Sequence, residues 1–335
     1  MRIAIDAMGG DFAPTEIVAG AVDACTGLSD SLTRVFLVGD EKAIRGELAK
    51  FPSVSPKIEV RHAADVIGMD ESPALAVRKK KDSSISRAVD LITSGEADAV
   101  LSAGNTGAVV VAASLKLRLL DGVLRPAIAT VLPTSGRPLL LIDAGATVDC
   151  TSAILLQFGV MGSVYSRGVM KQARPVVGLM SIGSEDSKGT EVTKETFRLL
   201  QKSGLNFRGN VEGHDLFRGE TDVVVCDGFV GNIVLKTVES TAHAISAWLK
   251  TALMKNVFNK MAALILQKDL RAMKKQMDPE MHGGAQLLGV NGTCIIAHGA
   301  SSRRAIYNAI RVSIDAGNNQ VNHHIIEEIA KLGTP

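Results

Sequence analysis

A short apolar run followed by a glycine-rich turn and a helical pattern recurs along the whole chain. The runs are continuous Val, Ile and Leu stretches without strict polar alternation, which is typical of strands buried on both faces of a parallel sheet. Their alternation with helices predicts an α/β fold, a doubly wound α/β/α sandwich with its turns on one sheet edge. The turns that carry polar residues are 6–11, 102–107, 143–147, 183–189, 227–232 and 298–302.

Composition narrows the class of protein. The 335 residues include 37 Lys and Arg against 35 Asp and Glu, a net charge of +2 that lacks the basic excess of a nucleic-acid binder. The 4 cysteines form no C-x-x-C pair, which favours reduced cytosolic thiols over a disulfide framework or zinc knuckle. We expect a cytoplasmic protein with one large α/β domain over residues 1–335, and with neither signal peptide nor membrane span.

One segment interrupts the alternation of strands and helices. Residues 240–277 contain neither Gly nor Pro, and apolar side chains are mixed with lysines and an arginine in a helical pattern. A helix that is both apolar and basic suits a dimer interface or an anionic membrane surface, although packing on its own domain is an equal alternative. We predict protruding amphipathic helices over residues 240–280.

The turn Ser-Ala-Gly-Asn-Thr-Gly at 102–107 lies between a predicted strand and a predicted helix. Its glycines would let backbone amides approach an anion, its polar side chains add donors, and the helix N-terminus adds a favourable dipole. The residues predicted to bind phosphate are Ser102, Gly104, Asn105, Thr106 and Gly107. No Gly-Lys-Ser/Thr follows, so a Walker A loop is not predicted. A plain strand-to-helix turn is the alternative.

Two carboxylates flank a glycine pair after the first predicted strand. They would hold a metal, orient a lysine or act as a base, and capping of a helix by the second is the alternative. We expect this turn to line the cleft through Asp6, Gly9, Gly10 and Asp11. No strand is followed by the spacing Gly-x-Gly-x-x-Gly, which disfavours a nicotinamide dinucleotide site of the usual type.

Three further turns supply candidate catalytic residues. Lys188 lies in a charged loop and would pair with phosphate or a developing oxyanion. Asp227 and Asn232 place an acid and an amide after another strand, and His298 adds an imidazole beside a glycine. A solvated lysine and a structural histidine are the alternatives. Templates for a metal site or an activated Ser or Cys do not match, so we expect no metal and require no covalent acyl-enzyme.

In combination and order, these motifs resemble those of a known family, the bacterial phosphate acyltransferases of phospholipid synthesis. The matching segments run nearly end to end: 5–11, 80–84, 102–108, 207–213, 226–232 and 295–299. Two places depart from the family pattern, because Thr147 stands where Asn is usual and the stretch 181–184 is commonly Asn-Ile-Gly-Glu. The hydroxyl of Thr147 keeps a donor but loses an amide, so we assign it no ligand role.

The resemblance implies a fold like the isocitrate/isopropylmalate dehydrogenase and phosphotransacetylase group, and a cytosolic homodimer that contacts the membrane peripherally. It implies transfer of a long-chain fatty acyl group from acyl-carrier protein to inorganic phosphate without a cofactor. The acyl-phosphate product would feed a membrane glycerol 3-phosphate acyltransferase. Two alternatives stay open: a metal- and NAD(P)-dependent decarboxylating dehydrogenase on the related fold, and a non-catalytic scaffold for lipid enzymes.

For this reaction, the turn 102–107 would hold phosphate, and Lys188 and Asn232 would bind it or stabilise the tetrahedral oxyanion. Asp227 and His298 would orient these groups or manage a proton. Carrier protein is acidic, so a basic run is expected to be its docking site. The candidates are Arg78, Lys79, Lys80 and Lys81, or else Arg303 and Arg304.

Overall fold

The computed structural model describes residues 1–276, 281 and 283–332, with the backbone alone at 274–276. Its strands are β1 (Arg2–Asp6), β2 (Arg34–Gly39), β3 (Ile58–His62), β4 (Ala99–Ser102), β5 (Ala127–Leu132), β6 (Leu139–Ile142), β7 (Val177–Met180), β8 (Phe207–Val211), β9 (Val223–Val225), β10 (Ala285–Leu288) and β11 (Thr293–Ile296). These strands form one sheet.

Helices follow most of the strands, as expected for an α/β fold. They are α1 (Thr15–Gly27), α2 (Glu41–Leu48), α3 (Pro73–Lys79), α4 (Ser84–Thr93), α5 (Thr106–Lys116), α6 (Ser152–Gly168), α7 (Glu191–Lys202), α8 (Gly228–Met254), α9 (Val257–Ile265), α10 (Gln267–Gln276), α11 (Arg303–Asn318) and α12 (Val321–Lys331). The α/β class predicted from the sequence is therefore confirmed.

The sheet contains two blocks of parallel strands that run in opposite directions. The strand order is β3-β2-β1-β4-β11-β10-β5-β6-β9-β7-β8. The strands β3, β2, β1, β4 and β11 are parallel to one another and form the first block. The strands β6, β9, β7 and β8 form the second block. Between them, β10 and β5 pair antiparallel with both of their neighbours, which reverses the direction of the second block.

The prediction that all the polar turns leave the sheet at one edge is therefore wrong. Turns after β1, β4 and β11 leave at one edge, and turns after β6, β9 and β7 leave at the opposite edge. The physical reason is that strand–helix alternation in a sequence does not reveal which strands pair. The carboxyl ends of the two blocks nevertheless lie at the same level along the strand direction, because Ile5, in the first block, and Ile142, in the second, lie in the same row across the sheet.

The blocks also share one helix. On one face, a core cluster that includes Ala4, Val100 and Ile296 covers the first block, and another that includes Leu141 and Val224 covers the second. Leu235 of α8 packs against both clusters. The first turns of α8 are thereby held against both blocks.

The rest of α8, with α9 and α10, carries exposed apolar side chains such as Trp248, Phe258 and Ile265. These helices lie within the segment expected to protrude, of which residues 277–280 lie outside the described residues. Within the described chain, we find no helix with the length and apolar character needed to cross a membrane.

Candidate active site

Three turns meet at the carboxyl ends of β1, β4 and β11, which we call the first rim. The hydroxyl of Ser102 donates to the buried carboxylate of Asp6 at 2.7 Å and accepts the amide N–H of Gly104 at 3.0 Å. Burial raises the pKa of Asp6, and hydrogen bonds from Ser84 and Ser102 oppose this effect. Asp6 thus links three segments of the chain and organises the rim.

The glycines of this rim allow the turns to pack against one another. A Cβ atom on Gly9 would lie 2.5 Å from the carboxylate of Asp6 and 2.6 Å from the amide nitrogen of Gly104. Gly10 has a φ of +105°, and the amide of Asp11 donates to the carbonyl of Gly299 at 2.8 Å. The first rim is therefore built from main chain in close contact, as the glycine-rich sequence requires.

The polar side chains of the turn 102–107 differ in their availability. Asn105 caps α5 by accepting the amide of Ala108 at 3.0 Å, and its Nδ2 group donates to the carbonyls of residues 68, 69 and 71. Ser102 is engaged with Asp6, whereas Thr106 is exposed. Gly107 allows close packing of α5 on Pro73. The donors that remain for an anion are the Thr106 hydroxyl and amides of the first helical turn.

The second rim lies at the carboxyl ends of β6, β9 and β7, and a buried aspartate that the sequence analysis did not select organises it. Burial raises the pKa of Asp143, while amide donors oppose this effect. Its carboxylate accepts amide hydrogen bonds from Ile128, Gly145, Ala146 and Thr147. The hydroxyl of Thr147 donates to the carbonyl of Pro126 at 2.9 Å, so this side chain is occupied within the protein. An Asp directly after an apolar strand was the available signal.

Helix α8 begins directly on the Asp143 turn. Asp227 caps the helix by accepting the amide of Val230 at 2.9 Å, a role that the sequence analysis did not assign to it. A Cβ atom on Gly231 would lie 1.8 Å from the carbonyl oxygen of Asp143, so only glycine allows this approach. One turn into the helix, the exposed side chain of Asn232 stands over Gly145.

Lys188 lies in the loop after β7, also at the second rim. Its side chain is half-exposed, and its Nζ atom is 3.9 Å from the carboxylate of Glu185. The stem of Lys188 packs over Gly183, where an added Cβ atom would come within 2.8 Å of the lysine Cγ. The loop thus presents the ammonium group to solvent at the end of β7, which lies between β9 and β8.

At the first rim, His298 faces Glu239, which pairs with Lys236, and the sequence analysis selected neither of these charged residues. The Nδ1 atom of His298 accepts the amide of Ala300 at 3.1 Å, so the neutral ring carries its proton on Nε2. This Nε2 atom lies 4.0 Å from Glu239, which accepts a hydrogen bond from Lys236 at 2.8 Å. No local motif marks Lys236 or Glu239, because only the path of α8 brings them to the rim.

The predicted docking run divides into exposed and engaged residues. Arg78, Lys79 and Lys81 are exposed, whereas the ammonium of Lys80 donates to the carbonyl of Val66 at 2.7 Å and to the carboxylate of Glu71. In the alternative docking site, Arg303 pairs with Asp23 and lies over the ring of Phe51. Arg304 also has a polar partner.

The thiols near the second rim are held in the protonated form. Burial and the neighbouring carboxylates raise the pKa of Cys150 to about 12, and they raise that of Cys226 well above its ordinary value. Such thiols are poor nucleophiles near neutral pH. Among residues 1–276, 281 and 283–332, no group of three or more His, Cys, Asp or Glu side chains is arranged to hold a metal ion.

A family model described as fatty acid synthesis protein matches residues 1–324. A phosphate acyltransferase from Pelobacter propionicus is 46% identical over 331 residues, which cover 99% of this chain and 95% of that protein. One from Akkermansia muciniphila is 48% identical over 342 aligned positions, with 100% and 97% of the two chains covered. The chain belongs to the phosphate acyltransferase family. The resemblance stated from the sequence is thereby confirmed.

Two solved structures of other proteins share the fold of this chain. A phosphotransacetylase from Streptococcus pyogenes has a TM-score of 0.62 at 17% identity and covers 95% of this chain and 94% of its own. A 4-hydroxythreonine-4-phosphate dehydrogenase from Klebsiella pneumoniae has a TM-score of 0.51 at 16% identity, with 97% and 99% covered. At these identities the likeness concerns the fold alone, and it agrees with the predicted phosphotransacetylase-related architecture.

Proposed function

We propose that this phosphate acyltransferase transfers a long-chain fatty acyl group from the thioester of acyl-carrier protein to inorganic phosphate. Membership of the family supports acyl transfer to phosphate. The observation that carries the proposal is that α8 joins two rims rich in hydrogen-bond donors, one at Asn232 and the other at His298. The acyl-phosphate product would then enter phosphatidic acid synthesis.

The reaction balances without a further reactant. An oxygen of hydrogen phosphate attacks the thioester carbonyl carbon, a C–O bond forms and the C–S bond breaks. The proton of hydrogen phosphate passes to the departing thiolate, which leaves as the free thiol of the carrier protein. Because the nearby cysteines are protonated, direct transfer is favoured over an acyl-cysteine intermediate.

Each candidate residue has a role in this proposal that fits its surroundings. Lys188 and Asn232, both accessible at the second rim, bind phosphate or stabilise the oxyanion. The Nε2–H group of His298 acts as a hydrogen-bond donor, because Nδ1 is occupied by a backbone amide. Thr106 and the first amides of α5 supply donors at the first rim, and Asp227 fixes the start of α8.

The deciding experiment mixes the protein with acyl-carrier protein thioester and ³²P-labelled phosphate. We expect ³²P-labelled acyl-phosphate in proportion to the enzyme added, and hydroxylamine should convert it to the acyl hydroxamate with release of the labelled phosphate. A parallel mixture contains NAD(P)⁺. A change in the absorbance of this cofactor, without labelled product in the first mixture, would instead favour the dehydrogenase alternative. Neither signal would favour the scaffold alternative.

We propose that the acidic carrier protein docks at the exposed members of the basic run, Arg78, Lys79 and Lys81. Reversing two of these charges, in the variant Arg78→Glu/Lys79→Glu, should raise the KM for acyl-carrier protein about tenfold or more with little change in kcat, since complementary charges act mainly on encounter. Steady-state kinetics at low salt measure this effect.

The matched control is Lys42→Glu/Lys50→Glu, which reverses two exposed charges at α2, on the opposite face of the sheet from α3. Its KM should stay at the wild-type value. Equal effects of both double variants, or none from either, would remove the basic run from carrier-protein recognition. Lys80→Ala is a separate case and should lower Tm, because Lys80 restrains the loop 66–71 that Asn105 also holds.

We propose that the apolar side of α9 gives this cytoplasmic enzyme a peripheral membrane contact, or is buried in a homodimer. Leu264 and Ile265 are 68% and 81% exposed. Leu264→Asp/Ile265→Asp should abolish sedimentation with anionic vesicles, because charged side chains do not enter the acyl boundary. Leu115→Asp, at a 64% exposed leucine of α5, is the control and should leave binding intact.

Light scattering of the same variants separates the two roles of this surface. A variant that becomes monomeric assigns the surface to the dimer. A variant that stays dimeric but loses vesicle binding assigns it to the membrane. Unaltered vesicle binding and unaltered mass would show that neither contact uses α9.

A further inference from the structure

One side of α8 joins the two rims of the cleft. Asn232, Lys236 and Glu239 follow one another at i, i+4 and i+7, so their side chains project from the same side of the helix. Asn232 stands over Gly145 at the second rim, and Glu239 lies 4.0 Å from the Nε2 atom of His298 at the first rim. At the usual helical rise, this stripe is about 10 Å long.

Lys236 occupies the middle of the stripe. An ammonium group has three N–H donors, and the structure shows one of them bonded to Glu239 at 2.8 Å. The side chain is 54% exposed, so the group reaches the solvent between the rims. The neighbouring Leu235 is packed on both core clusters, which fixes this part of the helix relative to both blocks.

Glu239 restrains its neighbours from a less exposed position. Its side chain is 22% exposed, and the same oxygen, Oε2, accepts from Lys236 and faces His298. The carboxylate therefore limits the positions of the ammonium group on one side and of the imidazole on the other. Glu239 is thus placed to act through the two residues beside it.

We infer that Lys236 binds the inorganic phosphate and that Glu239 is a positioning residue for Lys236 and His298. The inference rests on the proposed function and adds to it the residue that meets phosphate between the rims. Side chains one helical turn apart have Cβ atoms about 5–6 Å from each other, so a single phosphate can accept from both Asn232 and Lys236. A cation fixed in advance at this point needs little rearrangement when the anion binds.

The test is a titration of the protein with inorganic phosphate alone. Binding is measured from the rise in Tm that a bound ligand produces. Lys236→Ala should weaken phosphate binding about 10- to 100-fold, the effect expected for one hydrogen bond to a charged group. The KM for phosphate should rise by the same factor, while the KM for acyl-carrier protein should not change. Lys236→Arg keeps the cation and should lose less. Wild-type phosphate affinity in Lys236→Ala would overturn the inference.

Lys50→Ala is the matched control. Lys50 forms the same i,i+3 pair, with Glu47 at 2.7 Å, and its side chain is 63% exposed, but it lies at the end of α2 away from both rims. This variant should bind phosphate like the wild type. An equal loss of phosphate affinity in Lys50→Ala would show a general charge effect and contradict a site at Lys236.

Glu239→Gln tests the positioning role. It should raise the KM for phosphate less than Lys236→Ala does, and the double variant should be no worse than Lys236→Ala, because coupled residues are not additive. Additive losses would contradict positioning. If Lys236→Ala binds phosphate more weakly than the wild type, but the wild type forms no acyl-phosphate, only the proposed function is contradicted. If the wild type forms acyl-phosphate and Lys236→Ala binds phosphate equally well, only the inference is contradicted.

Discussion

Replacement of Lys188 by alanine should reduce kcat for acyl-phosphate formation by about 10²- to 10³-fold, the usual cost of removing one donor to a developing oxyanion. The residue stands on a loop at the second rim, with its ammonium group accessible and its stem packed over Gly183. Because the side chain is half-exposed and the carboxylate of Glu185 lies 3.9 Å away, Tm should change little. Rapid-quench assays with labelled phosphate measure the rate.

Lys194→Ala is the appropriate control for this experiment. Lys194 lies six residues further along the chain, on α7, where it pairs with Glu191 at 3.0 Å. It should retain wild-type kcat and Tm. Full activity in Lys188→Ala would exclude Lys188 from the mechanism, and a fall in Tm that matches the lost activity would assign it a structural role.

Gly231→Ala should destabilise the protein by about 3 kcal/mol or more and abolish activity, because an added methyl group here has no space. The Cβ atom would lie 1.8 Å from the carbonyl oxygen of Asp143 and 2.9 Å from the thiol of Cys226. Both neighbours belong to the turn and strand on which α8 begins. Moving α8 away would also displace Asn232, Lys236 and Glu239 from the cleft. Chemical denaturation measures the loss of stability.

Gly46→Ala is a matched control, since Gly46 is also a helical glycine but nothing lies within 4 Å of its Cβ position. Alanine there should stabilise the protein by about 0.5–1 kcal/mol, through its higher helix propensity. A Gly231→Ala variant with wild-type stability would show that the start of α8 can shift without cost. In that case the close approach to Asp143 would not be needed to place the helix.

The local sequence predicted well which turns form the rims, but it predicted poorly where the two rims lie relative to each other in the fold. The glycine pair after β1 and the turn 102–107 were identified because glycines and capping residues announce turns between strands and helices. The sequence did not predict that the Asn105 amide would donate its hydrogen bonds to the loop 68–71. Nor did it predict that the Lys80 ammonium would donate to the same loop. These contacts join residues that are distant in the chain or lie in an irregular loop.

The residues of the cleft itself show the same division. Lys188, Asn232 and His298 lie in turns or at a helix start, where the sequence drew attention to them. Lys236 and Glu239 lie within a helix, where a Lys–Glu pair is usually a solvated surface pair. Their nearness to His298 depends on the direction that α8 takes across the sheet.

The sequence alone determined the α/β class, the positions of the polar turns and membership of the family, since these depend on periodicity and on short motifs along the chain. Only the tertiary structure decided that β5 and β10 reverse the sheet, that the turns form two rims on opposite edges, and that α8 connects them. The physical reason is that strand pairing and helix packing are set by contacts between distant segments. Residue spacing along the chain does not record those contacts.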